Sequence, residues 1–70
     1  MSFYNWIKEF KEDDNPVGDL ARDLLNDPLF PKTDTDGNTL RHYLVTRRAS
    51  DSCIRAFDRA YGWYCGKDVL

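Results

Sequence analysis

Apolar side chains recur along this 70-residue chain at helical spacing, broken by short polar segments. Phe3, Trp6, Ile7 and Phe10 fall at i, i+3, i+4 and i+7, one face of a first helix. Ser2 is placed to cap it by accepting a free amide of the first turn. The run Glu12-Asp13-Asp14-Asn15-Pro16 ends it, because a residue before proline is pushed out of helical geometry. Pro16 to Asp19 opens a second helix with Val17, Leu20, Ala21 and Leu24 as its stripe and Leu25 at the edge. Asn26-Asp27-Pro28 stops it, and Phe30, between two prolines, reads as a plug pinning the following loop to the core. Residues 33–38 are turn chemistry, and Asp36 or Asn38 caps a third helix carrying Leu40, Tyr43 and Leu44 and running to about Arg47. Arg48-Ala49-Ser50 is a break, with Ser50 or Asp51 as the next cap. The last helix is the longest, with Ile54, Phe57, Tyr61 and Tyr64 as its inner stripe, Ala60 beside it, Gly62 weakening it and Gly66 as carboxy-terminal cap. No segment alternates with the period of a strand. The pattern predicts an all-α single domain over residues 1–70, with Trp6, Phe10, Leu20, Leu24, Phe30, Leu44, Ile54, Phe57 and Tyr61 buried in one cluster.

Composition sharpens this picture. Hydrophobic residues make up 41% of the chain and aromatics 14%, enough for a core and too much for a disordered segment. Cys53 and Cys65 lie on one predicted helix, about 18 Å apart along its axis, whereas a disulfide needs Cα atoms within roughly 7 Å. An internal bridge is excluded on that geometry. The first residues lack a basic segment followed by an apolar one, and no apolar run approaches the ~20 residues of a membrane span. The expected setting is the cytoplasm, with no membrane partner.

The net charge of −2 conceals an asymmetry. Residues 1–38 carry four basic and nine acidic side chains, whereas residues 39–70 carry six basic and three acidic. All five arginines of the second part, Arg41, Arg47, Arg48, Arg55 and Arg59, fall on the last two predicted helices and the break between them.

Four segments together resemble the YozE-like family, short proteins of firmicute bacteria and their phages. They are Ser2-Phe3-Tyr4-Asn5-Trp6, Phe30-Pro31-Lys32-Thr33, Tyr43-Leu44 and Ala56-Phe57-Asp58-Arg59-Ala60, in the family's order and over nearly the whole chain. The resemblance implies a four- or five-helix domain like the sterile alpha motif, and nucleic-acid binding. The chain departs from the family pattern at Tyr61, where a tryptophan is usual and Trp63 comes two positions later, and in the basic dress of its third helix, with Arg41, His42, Arg47 and Arg48.

Constellations for catalysis are weak. Asp34, Asp36 and Asn38 match the first three ligand positions of a calcium loop, but Thr39 replaces the glycine and Val45 the bidentate glutamate. A polar loop with a helix cap is the expectation. His42 is the single histidine, which together with two cysteines cannot supply four zinc ligands, and no spacing gives it a catalytic partner. Asp19 and Asp23, one turn apart, read as a solvated face. A chain this small has little room for a pocket of several hundred Å³. The expectation is therefore a binding protein rather than an enzyme, without cofactor, metal or small-molecule substrate.

The arginines are the strongest signal. Arg55 and Arg59 share a face at i, i+4, and arginine donates in a fixed fork that fits phosphate. The free amides at the start of the last helix would favour an anion at the same end. The competing expectation is internal pairing, Asp51 with Arg55 and Asp58 with Arg59. With most aromatics on inward stripes, no stacking platform is expected. Weak, backbone-directed nucleic-acid binding through Arg41, Arg47, Arg48, Arg55 and Arg59 leads. The rival is a protein-interaction module, either self-associating head to tail, acidic part on basic part, or docking on a host or phage protein as a regulator.

Overall fold

A computed structural model describes residues 2–66. Ser2 Oγ accepts the Asn5 amide at 3.2 Å and starts α1, Phe3–Ile7. The α-helical winding stops there, and Lys8–Phe10 form a 3-10 turn. The buried face of this first segment is set by its packing on α4, which it meets through Phe3. Phe3 and Ile7 are fully buried, while Trp6 and Phe10, expected inside, are only half-buried against the cluster.

Asn15 is extended and caps α2, Pro16–Leu25, its Oδ1 accepting the Gly18 amide at 2.8 Å. Pro16 occupies the first helical position, where its missing N–H costs nothing. Val17, Leu20, Ala21 and Leu24 are buried and Leu25 is half-buried, as their spacing predicts. Arg22 donates to the carbonyls of Lys11 (2.7 Å) and Asp13 (3.1 Å) and pairs with Asp19, lashing the α1–α2 loop to α2.

The Phe30 plug is real. Its ring is buried, 5.5 Å from Tyr43 at 83° and 6.1 Å from Tyr4. Asp34 and Asp36 then organise the turn. Asp34 Oδ1 accepts the Asp36 amide, and Asp36 caps α3, Gly37–Thr46, accepting the Asn38 amide and the Thr39 hydroxyl. The helix closes in a Schellman motif, in which Arg48 N donates to Val45 O and Ala49 N to Leu44 O, both at 3.0 Å. Arg48 takes the left-handed position usually given to glycine, with φ 61°.

α4, Asp51–Gly66, is capped by Ser50 Oγ on the Cys53 amide at 3.1 Å. Gly66 is its last residue, and the chain that a cap there would turn into lies outside the described residues. α4 is the hub, since α1, α2 and α3 each pack on it. Its buried face is Ala56, Phe57, Ala60 and Tyr64, rotated from the expected stripe, so that Ile54 and Tyr61 are half-buried at the rim. Small alanines let neighbouring helices approach closely, and this buries a face that large apolar side chains alone do not mark. Phe3 meets Phe57 edge-on at 5.2 Å and Tyr64 at 5.6 Å.

Two glycines are required by crowding rather than by φ. A Cβ on Gly18 would lie 1.9 Å from the Asp13 carbonyl oxygen, and one on Gly37 would lie 2.5 Å from the Tyr61 ring. Tyr61 OH accepts the Gly37 amide (2.9 Å) and donates to Thr35 O (2.7 Å), stitching the start of α3 to α4. Among the described residues there is no strand, and no helix is long and apolar enough to cross a membrane.

Candidate functional site

The tertiary structure separates the five arginines. Arg41 is engaged by Asp58, Nε to Oδ1 at 3.0 Å and Nη2 to Oδ2 at 3.3 Å, a two-pronged pair joining α3 to α4. Asp58 therefore serves Arg41 and not its sequence neighbour Arg59. Arg47 lies 5.4 Å over the Tyr43 ring and 3.8 Å from the Asp27 carboxylate. Asp27 also accepts Tyr43 OH at 2.5 Å and the Leu29 amide at 3.0 Å. The Tyr43 hydrogen bond, foremost, holds the Asp27 carboxyl below its ordinary pKa; desolvation, then Asp27, raises that of Tyr43. Arg41 and Arg47 are thus engaged by carboxylates, and Arg47 and Arg48 stand at the end of α3.

Arg55 and Arg59 remain together. Neither makes a hydrogen bond or ion pair with any described residue, and Asp51 does not engage Arg55. They line an open groove of about 470 Å³ between α4 and the start of α2. Asn15, Pro16 and Val17 form its far wall, and Trp63 lies at one end. The indole of Trp63 is 48% exposed, and the Phe10 ring stacks behind it at 6.4 Å and 29°. Phe10 in turn touches Trp6 at 4.8 Å, and Trp6 touches Tyr64 at 5.5 Å, an aromatic ladder from core to surface. Sequence reasoning left out Trp63, the exposed aromatic beside these arginines, and expected little room for a hollow of this size. The signal was present in the spacing, because Arg55, Arg59 and Trp63 recur every four residues and so share one face of α4.

The expected anion site at the start of α4 is not free. Ser50 already caps it, and Asp51 puts a carboxylate in its first turn. Other candidates are structural. His42 is exposed on α3. The Asp34 and Asp36 carboxylates hold backbone amides, and among the described residues no group of three His, Cys, Asp or Glu converges on a metal position. Cys53 and Cys65 are free thiols on α4; burial, then Asp23, pushes the Cys53 thiol up, away from the reactive thiolate.

A family model described as the YozE SAM-like fold matches residues 2–65. The chain belongs to this YozE SAM-like family. It is similar to UPF0346 proteins of Staphylococcus aureus strains JH9, NCTC 8325 and COL, each 32% identical over 63 residues. The match covers 90% of this chain and 86% of each relative. No solved structure matches significantly. In this YozE SAM-like protein the segments that carry the resemblance are mainly architectural. Ser2 and Phe3 start α1, Phe30 is the plug, Leu44 is core, and Ala56, Phe57 and Ala60 are the buried arc of α4. Only the last segment reaches the groove, through Ala56 and Arg59.

Proposed function

We propose that this protein is a non-catalytic binding domain that works in the cytoplasm and grips the phosphate backbone of nucleic acid through Arg55 and Arg59. The observation that carries this reading is the pair of guanidinium groups, one helical turn apart in an open groove, that no described residue engages. A guanidinium without an internal carboxylate keeps its full charge and its fork of donors for an outside anion. Arg41 and Arg47 already have carboxylate partners and contribute less.

Two phosphate contacts imply a log–log slope of affinity against salt near −1.4 on single strands and about −1.8 on duplex. Five contacts would imply roughly −4.5 on duplex. Anisotropy titrations between about 50 and 200 mM salt measure it. Arg55→Ala with Arg59→Ala should remove most binding, and Arg41→Ala should leave the slope nearly unchanged. Absence of binding to any DNA or RNA at tens of micromolar and about 50 mM salt rejects the reading, since even non-specific binders reach roughly 10⁻⁴ to 10⁻⁶ M.

One observation favours a second reading, self-association. Asp19 and Asp23 line a smaller hollow of about 220 Å³ that shares Pro16, Ser52 and Ala56 with the arginine groove. Acidic and basic surfaces therefore flank one α2–α4 seam. A two-fold axis along that seam would set the acidic hollow of each copy on the arginines of the other. Sedimentation at rising concentration separates the readings: growth of the wild type, abolished by the double arginine variant, supports the dimer.

A further inference from the structure

We infer that the groove is built for single-stranded rather than double-stranded nucleic acid, with a base stacked on Trp63 and the adjoining phosphates on Arg59 and Arg55. This rests on the nucleic-acid reading above and extends it to the class of ligand. Three features lie in line along α4. Arg55, Arg59 and Trp63 recur at four-residue intervals, so successive groups are about 6 Å apart along the helix axis. Charged groups followed by an aromatic plane is the arrangement that holds a single strand, because phosphate and an unpaired base are both within reach only when the strand is open. The indole is presented rather than buried. It is 48% exposed, with the Phe10 ring stacked against it at 6.4 Å.

The surroundings argue against a duplex. On the other side of the same seam, beyond Pro16 and Ala56, lie Asp23 and Asp19, the latter paired with Arg22. A second strand laid across the seam would bring its phosphates toward the Asp23 carboxylate, a like-charge contact. A single strand can follow the arginine groove and avoid it. A stacked base tolerates any sequence, because every base presents a π face.

The test uses fifteen-nucleotide poly-dT, poly-dA and poly-U and a dA·dT duplex of the same length, at about 50 mM salt. Binding is followed by anisotropy and by quenching of Trp63 fluorescence in a Trp6→Phe background. The expected result is tighter binding to the single strands than to the duplex, with quenching. Trp63→Ala should weaken single-strand binding roughly ten- to hundredfold while keeping the helical circular-dichroism spectrum of the wild type, and Trp63→Phe should restore much of the loss. If Trp63→Ala binds single strands as well as the wild type while the double arginine variant does not, stacking is refuted and the backbone reading stands. Equal or tighter binding to duplex, without quenching, refutes the single-strand inference in the same way. If the wild type binds none of the probes, both fall. The poly-dT and poly-U arms distinguish DNA from RNA as the strand.

Discussion

Gly18→Ala and Gly62→Ala are the same chemical change, on two helices of one small protein, with opposite expected signs. In an exposed helix interior, alanine is favoured over glycine by about 1 kcal/mol. Gly62 is such a site: it is exposed on α4, and a Cβ there meets nothing within 4 Å. Gly62→Ala should therefore stabilise by about 0.5–1 kcal/mol, raising Tm by about 3–6 °C for a chain of this size. Gly18 occupies the first turn of α2, and its Cβ would lie 1.9 Å from the Asp13 carbonyl oxygen and 2.7 Å from its carbon. Backbone cannot yield as a flexible side chain does, and Arg22 holds this stretch by the Lys11 and Asp13 carbonyls. Accommodating the methyl means displacing the loop, an overpacking cost of about 1–3 kcal/mol against the propensity gain. The net expectation is a loss of up to about 2 kcal/mol and a Tm lower by up to about 15 °C. Circular-dichroism melts of both variants beside the wild type decide it. A Gly18→Ala protein that melts at or above the wild type would refute the claim that close approach, rather than chance, put glycine there.

Further expectations concern charge and strain. Asp27 titrates below its ordinary value in the folded chain, so its stabilisation is present above the unfolded pKa near pH 4 and is lost as pH falls through the lower folded value. Tyr43 titrates above its ordinary value, so its share is present below about pH 10 and is lost as pH rises through the folded value. Tyr43→Phe should flatten both limbs of urea midpoint against pH, and an acid limb as steep as the wild type's would contradict the assignment. Arg48→Gly relieves the left-handed backbone at the end of α3, about 1–2 kcal/mol of strain less what glycine adds to the entropy of the unfolded chain. Denaturant unfolding should show a gain of about 0.5–1 kcal/mol with the nucleic-acid salt slope unchanged, and a loss would show that the Arg48 side chain stabilises the fold.

Periodicity alone located the four helices, because apolar spacing, proline and capping side chains act within a turn or two of chain. Ser2, Asp36 and Ser50 are caps whose partners lie two or three residues on; Ser2 was legible outright, and Asp36 and Ser50 each as one of two candidates, beside Asn38 and Asp51. So was the α2 stripe, a regular helix packed along one face. What periodicity misjudged needed a neighbour from elsewhere in the chain. Phe3 and Ile7 took the buried face of the first segment, packed on α4, and Trp6 and Phe10 stayed at the rim. The buried arc of α4 turned toward Ala56 and Ala60 because α2 packs there, and small side chains carry little hydrophobic signal of their own.

The candidate site divides in the same way. Composition marked the arginines of the second part, and i, i+4 spacing put Arg55 and Arg59 on one face. Which arginines remain available was a tertiary decision, because a carboxylate neutralises whichever guanidinium the fold brings to it. Asp58 lies beside Arg59 in sequence yet binds Arg41, seventeen positions away, since side chains of successive helical residues point about 100° apart. The far wall of the groove comes from Asn15, Pro16 and Val17, and the backing of Trp63 from Phe10. The sequence determined which residues could meet an anion; the packing of α2 and of the Phe10 turn against α4 determined which of them stand side by side in a groove, because a concave surface needs walls from more than one segment.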